Sequence, residues 1–493
     1  MRLKNNIPAL LLAGLLTVGC ESLDQQPFES LSTESAIQTP RDVQYWTNGF
    51  YSSMRGSSYG KFLIASEVQS DVLNATVDFG NNYGQSQIWD IQTGNYDVRD
   101  YWSYRYSALK NINVSIAKFQ SVPTQTAEEA KQVKQSLGEA HAIRAYYFFQ
   151  LAQHFAKNYN PASASSDLGI PLVTKYDVKE MPARATMSAT FEQILADIST
   201  AESLLATKTN SKGSQSFTLD AVKALKARVL LEKQDWTNAY ASAVEVINSG
   251  RYPLVSTAKA LKGIWHADAT DETIMQLYVA KPDELPNTQG VFLGLNAKTK
   301  KYTPSFIPSK WVVDLYDDAD IRKGIYFEEK PVYLGATDYK VVLINKYPGN
   351  PELYSGNTNY AHAPKIFRIA EQYLIAAEAA YRNNDETNAL KYLNTLRKAR
   401  GLSDVSATGE VLFKEIKDER LRELAFEGFR LNDLKRWGMG VKRHSPQSVD
   451  YIMTTPSTNF YELDKPASHF MFVWPIPSRD SQLNKNIVQN QGY

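Results

Sequence analysis

Residues 56–60 (GSSYG) contain the Gly-x-Ser-x-Gly pattern of serine hydrolases. In those enzymes the serine lies on a sharp turn between a strand and a helix, and this turn exposes its hydroxyl to the substrate. Here the preceding residues, VQYWTNGFYSSM, have the apolar spacing of a helix rather than of a strand. We therefore interpret the segment as a turn and assign no nucleophile to Ser58.

Asp317, Asp318 and Asp320 form the densest acidic cluster and are candidates for the two carboxylates that flank the bond cut by a glycosidase. The surrounding sequence DLYDDADIR instead has the pattern of a helix that ends in a turn, where aspartates accept backbone hydrogen bonds. The six histidines form no H-E-x-x-H motif and no close pair. The sequence thus predicts no catalytic residue, no metal site and no cofactor.

Glutamates 419, 423 and 427 recur every four residues, which places them on one helical face where they would repel one another. Arg420, Arg430 or cations on another helix would offset this repulsion. The segment 368–382 has a similar stripe of arginine and glutamate. We expect interlocking ion pairs between packed helices.

The composition excludes several classes of protein. The 54 Lys and Arg residues balance 53 Asp and Glu residues, so no basic surface argues for nucleic-acid binding. The 493 residues contain one cysteine, which rules out an intramolecular disulfide and a thiolate metal cluster.

That cysteine follows a segment typical of a secretory signal peptide. Residues 1–19 have a basic start, a short apolar stretch and small residues before Cys20, an ending that resembles a bacterial lipobox. We expect acylation of Cys20 and anchoring of the mature chain in a membrane. Residues 20–36 are polar and acidic and would form a tether.

Helical periodicity dominates the remaining chain, 37–493, which we interpret as one large α-helical domain with parts at about 37–232 and 233–493. The predicted helices are 40–54, 98–119, 126–155, 188–206, 219–232, 236–248, 365–381, 386–399 and 410–437. The third would begin with a Thr126/Glu129 capping box. Segments 274–279 and 341–344 could be short strands. Long polar and aromatic loops are expected at 56–97, 281–308 and 346–364.

Two segments of the chain repeat each other. LKARVLLEKQDWTNAYASAVEVI (225–247) aligns with IAAEAAYRNNDETNALKYLNTLR (375–397), and both share an Asp-x-Thr-Asn-Ala sequence. Each has the pattern of two helices joined by a short polar turn, similar to the tetratricopeptide helix pair. Generic helical hairpins that share alanine by composition are the alternative.

Several motifs, taken together in order, resemble the SusD/RagB family of Bacteroidetes outer-membrane lipoproteins. Besides Cys20, they are WSYRYSALKNINVSI (102–116), GEAHAIRAYYFFQLAQHF (138–155), FRIAEQYLIAAEAAYR (367–382), ERLRELAFEGFRLNDLKRWG (419–438) and QNQGY (489–493). The resemblance implies a mostly α fold in which tetratricopeptide-like helix pairs carry an irregular ligand-binding half. It also implies a lipid-anchored protein that faces the cell exterior, caps a SusC-like TonB-dependent transporter and binds glycans without cleaving them.

A glycan site needs flat aromatic faces together with polar groups for hydroxyls. The candidate glycan-binding residues are Asp71, Asn81, Tyr83, Trp89, Tyr302 and Tyr354. Trp89 and Tyr83 would stack on sugar rings, and Trp89→Ala would then abolish glycan retention at nearly unchanged stability. The alternative is that Trp89 is a packed anchor and that the asparagines form turns.

Two other functions stay open at the level of sequence. The first is a helical-repeat adaptor that binds only protein, and the second is a surface glycoside hydrolase. Retained partner binding without any glycan affinity would favour the adaptor, whereas product release from an oligosaccharide would reveal the hydrolase.

Overall fold

The computed structural model describes residues 36–453 and 459–493. Helices dominate these residues, which confirms the mostly α class. In chain order the helices are α1 (Pro40–Ser58), α2 (Lys61–Gln69), α3 (Gly84–Ile88), α4 (Tyr96–Phe119), α5 (Ala127–Phe155), α6 (Met187–Leu205), α7 (Leu219–Glu232), α8 (Trp236–Asn248), α9 (Ala258–His266), α10 (Lys310–Asp314), α11 (Lys323–Tyr326), α12 (Ile369–Arg382), α13 (Glu386–Ala399), α14 (Gly409–Leu424), α15 (Arg430–Arg436), α16 (Asn459–Glu462) and α17 (Ser478–Leu483). Cys20 and the predicted signal peptide lie outside the described residues.

The strands are short and pair two by two in antiparallel ladders. In chain order they are β1 (Leu73–Ala75), β2 (Leu168–Pro171), β3 (Arg184–Thr186), β4 (Thr273–Gln276), β5 (Phe306–Pro308), β6 (Phe327–Leu334), β7 (Thr337–Ile344), β8 (Lys365–Arg368), β9 (Val441–Lys442) and β10 (Asp464–Lys465). The pairs are β1 with β5, β2 with β3, β4 with β8, β6 with β7, and β9 with β10.

The capping box predicted at the start of α5 is present. The hydroxyl of Thr126 accepts a hydrogen bond from the Glu129 N–H at 3.1 Å, and the Glu129 carboxylate accepts one from the Thr126 N–H at 3.2 Å. These bonds satisfy N–H groups that have no partner within the helix. Local sequence therefore fixes where the longest described helix begins.

The two repeat copies fold as the helix pairs α7–α8 and α12–α13, and α12 packs against both α8 and α13. Asp235 and Asp385 cap the second helix of each pair, accepting hydrogen bonds from backbone N–H groups at 3.3 and 3.0 Å. Ala239 and Ala389 hold equivalent positions and are fully buried. Small side chains at these positions allow the helices to approach closely, as the repeat predicted.

The predicted helix 410–437 is interrupted. It forms α14 and α15, separated by a turn in which Phe426 and Gly428 have φ values of 64° and 85°. The Gly428 N–H donates to the carboxylate of the buried Glu67 on α2 at 2.5 Å. Periodicity did not reveal this break because it depends on a partner distant in sequence.

The predicted ion pairs are present and buried. The carboxylate of Glu423 on α14 accepts hydrogen bonds from Arg322 at 3.0 Å, from Arg368 at 2.8 Å and from Arg400 at 2.9 and 3.0 Å. Burial alone would raise the pKa of Glu423, but Arg400 and Arg368 hold it well below its ordinary value. The network connects α14 to the loop before α11, to β8 and to the end of α13.

Within residues 36–453 and 459–493, no helix combines the length and the apolar character needed to cross a bilayer.

The predicted loops contain more regular structure than expected. Segment 56–97 includes α2, β1 and α3, and the segment around 341–344 belongs to the longer hairpin β6–β7. These elements position the residues described next.

Candidate functional site

The loop after β1 and the later loops of the chain meet on one side of the molecule. Thr76 N–H donates to Ser305 O at 3.0 Å, and the Asn82 side-chain amide donates to the Ser305 hydroxyl at 3.0 Å. Gly335, in the hairpin turn, donates its N–H to the Asp78 carboxylate at 2.9 Å. We call the surface formed by residues 76–83, 290–306, 327–344 and 348–360 the loop face.

Tyrosine side chains are the main feature of the loop face. Tyr302 joins the hairpin through backbone bonds to Pro331 and Tyr333 of 3.0 and 2.9 Å. Tyr302 is half-buried, and 44% of the Tyr333 surface is exposed. The ammonium of Lys330 lies 5.1 Å from the Tyr302 ring centroid, and that of Lys301 lies 5.6 Å from the Tyr333 ring centroid. Tyr302 pairs with Val332 in the backbone, so its ring and that of Tyr333 lie on opposite faces of the hairpin, each beside a lysine and partly open to solvent.

Tyr354 and Tyr360 belong to the same face but are held more firmly. The Tyr354 hydroxyl donates to the carbonyls of Pro348 and Gly349 at 2.9 and 3.1 Å. The Tyr360 hydroxyl accepts the N–H of Leu295, which joins loop 348–360 to loop 290–306. Both tyrosines are half-buried, so each has an apolar ring edge near solvent and a hydroxyl already in use.

Asn81 and Tyr83 lie at the rim of the loop face in a strained stretch of backbone. Their φ values are 56° and 52°, in the left-handed region that few side chains other than asparagine adopt easily. Asn81 is exposed, whereas Tyr83 is half-buried with its ring centroid 6.3 Å from that of Phe306. Burial raises the pKa of the Tyr83 hydroxyl above its ordinary value, which already keeps it protonated at neutral pH as a hydrogen-bond donor.

The sequence prediction made Trp89 a stacking surface for sugar rings, but the structure buries its side chain. Only 3% of its surface is exposed, and its indole N–H donates to Gln69 O at 2.7 Å. The rings of His469 and Phe472 approach it edge-on, with centroids 5.2 and 4.9 Å away. The indole therefore offers no free face for stacking, and this placement matches the packed-anchor alternative.

Asp71 is also buried, contrary to the prediction that its carboxylate meets ligand hydroxyls. The guanidinium of Arg430 donates to both carboxylate oxygens, at 2.8 and 2.7 Å. A bidentate pair of this kind occupies the carboxylate and fixes its direction. Asp71 thus connects the N-terminal loop to α15 rather than to solvent.

The hairpin contributes tyrosines that the sequence prediction missed. Tyr333 lies on β6 and Tyr339 on β7, and the Tyr339 ring centroid is 5.1 Å from that of Tyr451. Gly335 and Ala336 both have positive φ values, which suit a tight two-residue hairpin turn. The sequence signal for this strand was weak, because FEEKPVYL (327–334) does not alternate polar and apolar residues, although buried and exposed residues alternate over 331–334 in the structure.

The acidic cluster has the turn geometry that the sequence predicted. Asp317 accepts the Ala319 N–H at 2.9 Å, and Asp320 accepts both the N–H of Arg322 and its guanidinium, at 2.9 and 2.7 Å. Asp318 is exposed and pairs with Lys323 at 2.5 Å. These carboxylates therefore stabilise the turn through backbone hydrogen bonds and ion pairs.

Comparison with known proteins gives a consistent result. Residues 324–493 match the SusD family, and residues 21–231 match a family described as "Starch-binding associating with outer membrane". The chain is 24% identical to SusD-like protein P2 of Formosa agariphila, over 97% of this chain and 98% of that one. A SusD superfamily protein of Bacteroides thetaiotaomicron has a similar structure, with a TM-score of 0.78 and 26% identity over 92% of this chain and 99% of that one. A structure titled "Laminarin binding SusD-like protein" has a TM-score of 0.71 and 22% identity, over 93% of this chain and 100% of that one.

Proposed function

Because the chain belongs to the SusD/RagB family, we propose that it is a glycan-binding protein of the outer membrane whose ligand lies on the loop face. The observation that carries the proposal is the group of solvent-bordering tyrosines that the converging loops bring together. A matched family is described as starch-binding, and a structurally similar protein is named for laminarin. Both descriptions concern polysaccharides, which agrees with a glycan ligand here.

The chemistry of the loop face suits a sugar chain. A sugar ring has an apolar C–H face and an edge of hydroxyls, so it fits a tyrosine ring beside polar groups. Tyr302 and Tyr333 offer rings near solvent, and Asn81 offers an exposed amide. Lys301 binds Asp338 at 2.6 Å beside Tyr333, which leaves both ions at the rim within reach of hydroxyls.

The proposed site therefore differs from the candidate set drawn from sequence. Asn81, Tyr83, Tyr302 and Tyr354 remain candidates for contact with the glycan, and Tyr333 joins them. Trp89 and Asp71 act behind the surface as positioning residues that hold the N-terminal loop in place.

We further propose that Cys20 is acylated, that the protein faces the cell exterior, and that it caps a SusC-like TonB-dependent transporter to deliver the glycan. The description of the matched family as associating with the outer membrane supports this location. The lipobox-like ending at Cys20 supports the anchor.

The protein is proposed to bind its glycan without cleaving it. Most glycosidases hydrolyse the glycosidic bond with two carboxyl groups that flank it. The acidic cluster around Asp320 is instead engaged in turns and ion pairs, and Asp71 is held by Arg430. A protein-binding adaptor and a surface hydrolase remain the alternatives that the experiment must distinguish.

The test is retention of the purified protein in native gels that contain laminarin or soluble starch. Combined Tyr302→Ala and Tyr333→Ala should weaken retention about tenfold or more, a loss of about 1.4 kcal/mol or more. Tyr176→Ala is the matched control, because 44% of that residue is also exposed but it lies outside the loop face.

Three results would contradict the proposal. Unchanged retention of the double variant would show that the glycan does not bind at the loop face. The absence of retention by the wild type, with transporter binding intact, would favour the adaptor. Shortening of the polysaccharide during incubation would favour the hydrolase.

A further inference from the structure

A second solvent-accessible groove lies between α1 and α5, outside the loop face. It has a volume of about 600 Å³, and segments 208–216 and 278–284 also contribute to its lining. Every residue that lines the groove carries a polar group, among them Gln44, Tyr51, Arg55, Glu139, Lys208 and Tyr278. A lining without aliphatic side chains excludes a lipid or an apolar helix as the preferred occupant, because neither could bury apolar area there.

The charges of the groove are internally neutralised. Lys208 donates to the Glu139 carboxylate at 2.5 Å, and the Tyr51 hydroxyl donates to the same carboxylate at 2.6 Å. Arg55 pairs with Glu284 at 3.4 Å. Two cations therefore face two carboxylates, so an ionic ligand would have to compete with an existing pair. A neutral ligand carries no such cost.

Planar amides dominate the rest of the groove. The side-chain amide of Gln132 on α5 donates to that of Gln44 on α1 at 3.1 Å, and Gln44 donates to the side-chain amide of Asn48 at 2.9 Å, so a row of bonded amides crosses from one helix to the other. Gln135 and Gln215 also border the space. Amides carry a donor and an acceptor side by side, which matches neighbouring hydroxyl groups.

Tyr278 supplies an aromatic surface at the mouth of the groove. It is 45% exposed, and its carbonyl accepts a hydrogen bond from Arg55 at 3.1 Å. Three residues further on, Lys281 donates to the carbonyl of Tyr354 at 3.0 Å. Segment 278–284, which lines the groove, thus also contacts the edge of the loop face. The two surfaces are therefore neighbours.

We propose that the groove between α1 and α5 is a second glycan subsite, which takes a neutral stretch of the polysaccharide that the loop face binds. The inference rests on the proposed function and adds a location and a charge class to it. Tyr278 would stack on a sugar ring, while the amide row would bind hydroxyls. Two adjoining subsites on one chain raise the effective concentration of ligand at the second after the first has bound.

The experiment compares variants in the full chain by retention in gels containing laminarin or soluble starch. Tyr278→Ala combined with Gln135→Ala should weaken retention of the polysaccharide about threefold to tenfold. Tyr278→Phe keeps the ring and should lose less. Tyr176→Ala again serves as the control at equal exposure, and unchanged thermal unfolding temperatures would show that the variants fold.

Salt separates a neutral from a charged ligand. Retention through this groove should change little between about 0.05 and 0.5 M salt, because no ligand charge is screened. Because laminarin and starch carry no charge, the series is repeated with a carboxylated polysaccharide, and Tyr278-dependent retention stronger for that polymer than for laminarin would overturn the neutral assignment.

The outcomes distinguish the two proposals. If the Tyr302 and Tyr333 changes abolish retention while the Tyr278 and Gln135 changes do nothing, the second subsite is wrong and the loop-face function stands. If only the Tyr278 and Gln135 changes matter, the groove binds glycan and the loop face does not. If the wild type retains neither polysaccharide, the proposed function fails and the subsite fails with it.

Discussion

Two regions of this protein differ in which side chains they bury: one buries charged groups and the other leaves aromatic rings exposed. Around Glu423, three guanidinium groups and a carboxylate are fully or almost fully buried in the scaffold. On the loop face, the Tyr333 ring is 44% exposed. Burying ions costs desolvation free energy that good pairing must offset, and exposing aromatic rings gives up apolar burial. The contrast indicates that ions fix the geometry of the scaffold, whereas the loop face leaves rings at the surface, where the proposed glycan would contact them.

The largest expected effect comes from breaking the buried network. Glu423→Ala leaves three buried guanidinium groups without their shared carboxylate and should lower the free energy of unfolding by about 3–5 kcal/mol. Urea denaturation measures this loss. Asp418→Ala on the same helix is the control, because its partner Lys414 is exposed and the change should cost less than about 1 kcal/mol. Equal losses of unfolding free energy in the two variants would show that the Glu423 network stabilises the fold no more than an exposed ion pair does.

A smaller loss is expected at the boundary between the two regions. Trp89→Ala empties a buried site packed against His469 and Phe472 and should cost about 3 kcal/mol. This reverses the sequence-based expectation that the variant keeps its stability and loses only glycan retention. Tyr96→Ala, an exposed position on α4, should leave the urea midpoint nearly unchanged. A stable Trp89→Ala protein that no longer retains glycan would restore the original interpretation.

The smallest effect, about 1.4 kcal/mol per pH unit, concerns a buried carboxyl that lacks an arginine partner. Burial raises the pKa of Glu67 to about 8, whereas the arginines lower that of Glu423. Between the ordinary value of 4.5 and about 8, folded Glu67 holds a proton that the unfolded chain has released. The free energy of unfolding should therefore fall as pH rises through this window, with a slope of about 1.4 kcal/mol per pH unit.

Glu67→Gln should remove that part of the pH dependence, because the amide stays neutral and can still accept the Gly428 N–H. Urea unfolding of both proteins at about pH 5 and about pH 8 measures the difference. Parallel slopes for the two proteins would show that Glu67 does not titrate in this window.

Local sequence was sufficient where partners are near in the chain. Asp235 and Asp385 each cap the helix that follows them, and the Thr126/Glu129 box begins α5, because these bonds span only three residues. The turn at Asp317 was predictable for the same reason. The hairpin β6–β7 was only partly recognised, because alternation is weak where both of its faces are partly covered.

The candidate site shows the opposite case. The sequence brought Asn81, Tyr83, Tyr302 and Tyr354 forward as loop residues, and the structure places them on one face. The sequence alone could not show which polar or aromatic loop residue is exposed, because exposure depends on contacts with segments that are distant in the chain. Asp71 is covered by Arg430, which is distant in sequence.

The sequence by itself determined the helical scaffold, its caps, its repeated helix pairs and the need for ion pairs along α14, since these depend on periodicity and short-range hydrogen bonds. Only the tertiary structure decided that Trp89 is covered by Phe472, that Glu423 pairs with three arginines, and that Tyr302 pairs with the backbone of the hairpin. The physical reason is that burial and pairing arise from contacts between distant segments, and those contacts exist only once the chain has folded.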